Sequence, residues 1–222
     1  MVTHSPILDP AARYEDDQAT VLTRARYQRI SPIYDKVEWV MEKRFRPWRQ
    51  QLWRLVRGPR VLEVGVGTGK NIEFWPVDLK ITAIDLTPGM LCIAGQRLKS
   101  LNRHADLRLG DVQCLEFLPA TFDTVVSTFV FCSVPDPLQG LRELGRVVRP
   151  GGQILLLEHV RIDRPVIGKL MDALAPLIVR LNGANINRRT VENVRAAGLQ
   201  IEQVKDLDDM GMFKLIVAQP AT

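Results

Sequence analysis

The sequence predicts an α/β fold: a doubly wound, mostly parallel seven-stranded sheet with N-terminal helices and an antiparallel C-terminal hairpin at the sheet edge. Three observations carry the prediction. From residue 60 onward, short β-branched runs alternate with helix-like segments, the pattern of a parallel sheet covered on both faces. The first run enters a turn with glycines at alternate positions, Gly65, Gly67 and Gly69, and the second ends on the carboxylate of Asp85. The last two runs are separated only by a short acidic turn containing Gly211, so they should pair antiparallel.

Along the chain, residues 1–20 are polar and rich in turn formers, a stretch expected to fray. Residues 21–58 read as helical, with a break near Ser31-Pro32, where the serine is placed to cap a helix that starts on proline. Met41, Phe45, Trp48, Leu52 and Leu55 form one apolar stripe there, and Pro47 is expected to kink or restart the helix. Residues 59–222 hold the α/β domain. Its strands are expected at 60–64, 80–84, 106–109, 123–127 and 153–158, with Thr87-Pro88 and Asp136-Pro137 opening helices between them. A helix over 188–197, ended by Gly198, leads to the closing strands 199–207 and 212–218.

Composition limits the function classes. A chain of 222 residues, 46% hydrophobic and 25% charged, is an ordinary globular domain with decorations. Its longest uncharged stretch, 124–135, has 12 residues, against the roughly 20 that a membrane-spanning helix needs. The N-terminus lacks the basic and apolar regions of a secretion signal. Cys92, Cys114 and Cys132 are odd in number and far apart. They suit neither a disulfide framework nor a metal site, and a cytoplasmic setting is expected. The charge is local. Between Arg24 and Arg57 stand ten basic and three acidic residues, a net of +7 in a chain of +5, so the remainder sums to −2. That argues against a nucleic-acid face and for one local anionic contact. Trp39, Trp48 and Trp53 lie among these cations, which suits a helix resting peripherally on an anionic membrane, or merely a solvated basic face beside a buried stripe.

The strongest chemical signal is Glu63-Val64-Gly65-Val66-Gly67-Thr68-Gly69, a buried strand running into a glycine turn and then toward a helix. Glycines let the backbone approach a ligand without Cβ obstruction. Asp85 follows Gly65 by 20 residues at the end of the next strand, where a carboxylate accepts the hydroxyl protons of a ribose. A nicotinamide-dependent oxidoreductase is the rival reading. Its fingerprint wants glycine at position 70, and that residue is Lys70.

These residues resemble the class I S-adenosylmethionine-dependent methyltransferases. The likeness runs through 62–69, Ala83-Ile84-Asp85-Leu86, Gly110-Asp111-Val112, Phe122-Asp123-Thr124-Val125-Val126 and 144–152. The resemblance implies a Rossmann-like methyltransferase fold and S-adenosylmethionine as cofactor. It also implies a cofactor site formed by Glu63, Gly65, Gly67, Gly69, Asp85, Leu86, Met90, Asp111, Val112 and Thr128, with Asp85 on the ribose and Asp111 and Val112 at the adenine. Tyr34-Asp35, Phe131-Cys132-Ser133-Val134 and Glu158-His159-Val160 are similar to methyltransferases acting on greasy acceptors: phospholipid amines first, isoprenoid quinols second, thiols also open.

No Asn/Asp-Pro-Pro-aromatic run follows the fourth strand, where Ser127-Thr128-Phe129-Val130 stands, so methylation of nucleic-acid amino groups is discounted. Cys132 has no adjacent base and reads as a small buried hydrophobe. His159, at a strand's carboxyl end, is expected either to accept the acceptor's proton or to be a hydrogen-bonded rim residue. Tyr34 is expected to face the site from a lid, with Asp35 solvated if the lid role fails. Tyr27, Asn185 and Arg188 are candidates for holding the acceptor, and Asn187 for a helix N-cap.

Overall fold

The computed structural model describes residues 17–162, 164–182 and 185–221. Residues 1–16, most of the stretch expected to fray, lie outside them. Helix α1 (Gln18–Ile30) opens on Asp17, whose carboxylate accepts from Thr20 N at 3.0 Å, so Gln18, Ala19 and Thr20 belong to the helix. A 3-10 turn (Ser31–Ile33) joins it to α2 (Tyr34–Trp53). Ser31 does not cap this turn as expected; its hydroxyl donates back to Gln28 O at 3.0 Å. Helix α2 continues through Pro47 as one element.

The domain continues with β1 (Arg60–Val64), β2 (Lys80–Asp85), α3 (Pro88–Ser100), β3 (Asp106–Leu109), β4 (Phe122–Thr128), α4 (Pro137–Val147) and β5 (Val148–His159). Helices α5 (Pro165–Asn182) and α6 (Thr190–Ala196) precede β6 (Leu199–Asp206) and β7 (Phe213–Pro220). Among the described residues the seven strands form one sheet in the order β3-β2-β1-β4-β5-β7-β6. All neighbours from β3 to β5 are parallel, while β7 runs antiparallel to both β5 and β6. The closing hairpin thus inserts its second strand next to β5 and leaves its first at the edge.

Alternation along the strands explains why they read as unbroken apolar runs. Leu62, Val125, Ile154, Leu156 and Ile216 point to the layer of α4 and α6, where Leu141, Leu144 and Val194 meet them. Val61, Val126, Leu155, Leu157 and Leu215 point to the opposite layer, against Leu52, Trp53 and Ala94 of α2 and α3. Strands β1, β2, β4, β5 and β7 therefore bury both faces, while the edge strands β3 and β6 are largely exposed. The lower half of α2 is core: Phe45, Leu52 and Trp53 are buried, whereas Met41, the first residue of the expected stripe, is exposed.

Of the boundaries that differ from expectation, two have a visible cause. Strand β5 starts at Val148 because Val148 pairs with Phe122, and a register shift between Phe122 and Thr124 absorbs the turn at Gly151. Helix α6 starts at Thr190, with Arg189 at its cap. Asn187 is not the cap: its amide donates to Asp172 Oδ1 at 3.0 Å, which ties the preceding loop to α5.

Candidate functional site

The strand order reverses between β1 and β4, and a crevice opens at their carboxyl ends, the place where open α/β sheets bind ligands. Gly65 and Gly67 line it in the left-handed region, at φ 66° and 56°. A Cβ on Gly65 would stand 2.3 Å from Val130 Cγ2, so the turn packs tightly against the end of β4. A Cβ on Gly67 would meet nothing within 4 Å. Its backbone is open to an approaching ligand.

Asp85 ties this turn to the next one. Its Oδ2 accepts from Gly67 N at 2.8 Å and its Oδ1 from Thr87 N at 2.9 Å. The carboxylate itself lines the crevice, where it can meet the hydroxyls of a ribose. Burial raises its pKa, and the two backbone N–H groups oppose the rise. Leu86, Met90, Val112 and Thr128 line the same cavity, as expected. So does Asp111, which accepts from Gln113 N at 2.8 Å. Burial raises the Asp111 pKa while Arg24 of α1 counteracts it. Gln113, which no sequence motif singles out, bridges this end: its amide donates to Thr20 of α1 and its carbonyl accepts from Asp136 N at 2.8 Å.

Two expected cofactor residues do not line the crevice. Both Glu63 oxygens are taken from below, Oε1 by Asn71 Nδ2 and Oε2 by Trp75 Nε1, each at 2.7 Å. Burial pushes this carboxyl up to about 7. Asn71 also donates to Thr128 Oγ1 at 2.7 Å and accepts from Arg49 of α2 at 3.1 Å. Glu63 thus anchors the turn and leaves no oxygen facing a ligand. Arg49 was legible in principle, since it is a cation four residues after Phe45 on the buried stripe. Gly69 serves packing: a Cβ there would stand 2.4 Å from Ile72 Cδ1 and 3.2 Å from Ala94 Cα.

Tyr27 and Tyr34 close the crevice from the lid, their ring centroids 6.4 Å apart. Burial raises both phenols, so they stay protonated. Asp35 is partly exposed but engaged. It accepts from Thr68 Oγ1 at 2.6 Å and pairs with Arg97. Lys70 stands 2.6 Å from Glu38 and 3.3 Å from Glu42. Phe129 lines the crevice in the left-handed region, at φ 58°, held by its N–H to Leu157 O and its ring against Phe45. Such strain in a bulky residue is kept only where packing over-determines it.

His159 lies outside the crevice lining. Alternation along β5 turns it to the α2 layer, where its ring meets Phe213 edge-on at 5.4 Å. Burial lowers its pKa, and Asp208 partly offsets this. Its neighbour Glu158 turns the other way and accepts from Ser127 Oγ, Val130 N and Phe131 N through one oxygen. Asn185 and Arg188 also stand behind the wall: Asn185 N donates to Cys132 O at 2.8 Å, and Arg188 donates to Val134 O at 2.6 Å. Burial pushes the Cys132 thiol up to about 12, which leaves it a neutral packing residue.

A methyltransferase-domain family model matches residues 62–156. The chain is 34% identical over 171 residues to a demethylmenaquinone methyltransferase of Bacillus licheniformis, covering 65% of this chain and 72% of that protein. It is 36% identical over 121 residues to a phosphatidylethanolamine N-methyltransferase of Cereibacter sphaeroides, covering 54% of this chain and 60% of that protein, less than two thirds of its length. Among solved structures, an S-adenosylmethionine-dependent methyltransferase of Thermotoga maritima superimposes with a TM-score of 0.66 at 19% identity, over 90% of this chain and all of that one. The [4+2]-cyclase SpnF gives 0.65 at 20% identity, over 81% of each chain. At such identities these structures speak for the fold alone.

Proposed function

We propose that this chain, which belongs to the class I S-adenosylmethionine-dependent methyltransferases, methylates the amine of an amphipathic phospholipid of the phosphatidylethanolamine type. The cofactor supplies an electrophilic methyl on a sulfonium, whose leaving group is a neutral thioether. The residues present fit it: an open backbone at Gly67, a ribose carboxylate at Asp85 and a second carboxylate at Asp111. What remains for the protein is to hold the acceptor lone pair in line, keep water out and let one proton leave.

The observation that carries the acceptor reading is the tyrosine pair. Tyr27 and Tyr34 present aromatic faces at the lid side of the crevice, and such faces receive an ammonium head without a formal counter-charge. Lys70 Nζ stands 5.2 Å from the Tyr34 ring centroid, so this ring already shares its surroundings with an ammonium. Tyr34 is here an acceptor-holding residue. A second reading, carbon methylation of an isoprenoid quinol, is favoured by the demethylmenaquinone relatives, one of which is covered to 72%.

Exposed Ile33, Val37, Val40 and Met41 share a face from the 3-10 turn into α2, and Lys36, Lys43 and Arg44 flank it. This supports peripheral contact with an anionic bilayer, close to where a lipid acceptor would enter. Among the described residues no helix is long and apolar enough to cross a membrane.

The test is to incubate the protein with methyl-labelled cofactor and total membrane lipid and to identify the labelled product. Label in an N-methylated phospholipid is expected, with Tyr27→Ala and Tyr34→Ala raising KM for lipid several-fold. Label confined to quinones would replace this reading with the second. Flotation with anionic liposomes should show association that is lost at high salt.

A further inference from the structure

Beyond β5, a second cleft of about 440 Å³ opens on the same rim of the sheet, between α6 and the β6–β7 turn. Among the described residues its cations are Arg161, Arg164, Arg188, Arg189, Arg195 and Lys214. Its acids are Glu192, Asp206 and Asp209. Two cations are already matched: Lys214 pairs with Asp206, and Arg161 with Asp172 of α5 at 2.8 Å. Of the lining residues, four arginines then face two carboxylates, an excess of two positive charges along the lining, which Asp172 near Arg189 and Asp136 near Arg188 temper from outside it.

Arg188 is the distinctive member. It is half-buried, its guanidinium donates to the Val134 carbonyl, and its Nε is buried with no hydrogen-bond partner. No carboxylate pairs with it among the described residues. Burial pushes its pKa down, and Cys132 and Asp136 only partly offset this. A desolvated guanidinium with a free edge calls for a forked oxyanion.

We propose that this cleft is a second ligand site, separate from the cofactor crevice, that binds a phosphomonoester dianion, with Arg188 as its buried anchor and Arg189 and Arg195 at its mouth. Charge selects the class. A phosphomonoester carries roughly −1.5 to −2 at neutral pH, which cancels the excess of two. A phosphodiester or a single carboxylate would leave part of it uncompensated. The site does not depend on which acceptor the enzyme methylates.

The test titrates the full chain, saturated with S-adenosylhomocysteine, with glycerol 3-phosphate by calorimetry. Glycerophosphocholine serves as the diester control, and dihexanoyl phosphatidic acid, kept monomeric, as the lipid-borne monoester. Saturable binding of glycerol 3-phosphate is expected, weakened roughly tenfold by Arg188→Gln and by the surface pair Arg189→Glu/Arg195→Glu. Binding of the lipid probe alone would assign the dianion to a headgroup, and binding of both to a site indifferent to the glyceride. S-adenosylhomocysteine affinity reports whether the crevice stays intact. Should Arg188→Gln disturb it through Val134, the surface pair, remote from that wall, decides. No saturable heat from either monoester up to about 10 mM, equal affinity for the diester, or binding unchanged in the surface pair would overturn the proposal.

Discussion

Two buried carboxylates behave differently although both are pushed up to about 7 by burial. Glu63 accepts at both oxygens. Glu158 gathers three donors on Oε1 and leaves Oε2 buried without a partner. Glu63→Gln must set an amide donor against either Asn71 or Trp75, and about 1–3 kcal/mol of stability should be lost. Glu158→Gln keeps its accepting oxygen and places the amide where nothing donates, so near pH 8 it should melt at or above the wild type. Equal losses in the two variants, measured by urea unfolding, would refute this distinction. The pH sign follows from the same groups. Their folded pKa lies above the ordinary 4.5, so their contribution is full below about pH 4.5 and is lost as pH rises through about 7. Asp123 does the opposite. Held down to about 2 by Arg60 first and also by Arg149, it stabilises above its ordinary 3.8 and fails as pH falls toward 2. Glu158→Gln should therefore flatten the stability profile between pH 4.5 and 7 and leave the acid limb unchanged.

Helix α2 joins core and lid. Its lower half buries Phe45, Leu52 and Trp53 on the sheet, while its first turns carry Tyr34 to the crevice. The first turns are tied down by Asp35, Glu38 and Glu42, which share one face of the helix: Asp35 pairs with Arg97 of α3, Glu38 and Glu42 with Lys70 beyond β1, and Glu42 also with Arg49 lower on α2 itself. Lys70 occupies the position whose lack of glycine argues against a dinucleotide fingerprint. In the structure its ammonium is the one cation within 4 Å of all three acids of that face, among the described residues. Lys70→Met leaves Glu38 without an ion-pair partner among the described residues and removes one from Glu42. Like charges along one helix face repel, so the lid should loosen: S-adenosylhomocysteine should dissociate about tenfold faster, an effect of about 1.4 kcal/mol. Stopped-flow displacement measures it, and an unchanged off-rate would remove the latch role. The sheet core, which Lys70 does not enter, should keep its slow amide exchange.

At the scale of the whole molecule, ligand linkage offers a direct check on the cofactor. S-adenosylhomocysteine at about 100 times its Kd should add about 2.7 kcal/mol, or about 5–10 °C in Tm for a chain of this size, and NADH should add nothing; a scanning-fluorimetry shift with NADH instead would reverse the cofactor assignment. Much of this architecture is legible in the chain itself. Strand–helix alternation, the glycine turn, Asp85 and Asp111 are local patterns, because a βαβ unit and its nucleoside contacts lie within a few tens of residues. The closing hairpin is equally local, but its insertion of β7 beside β5 is not. Side-chain direction beyond the next strand is also hidden from sequence. Glu63 turns down to Asn71 and Trp75, and His159 turns to Phe213 instead of the crevice, because each follows the alternation of its strand and the layer packed on it. Asn71 and Gln113 escape a linear reading for a related reason: their partners lie on other elements, and only folding brings those together. The sequence by itself determined the sheet and the nucleoside chemistry, which short-range spacing encodes. The tertiary structure decided which side chains reach the ligand, since that depends on contacts between segments far apart in the chain.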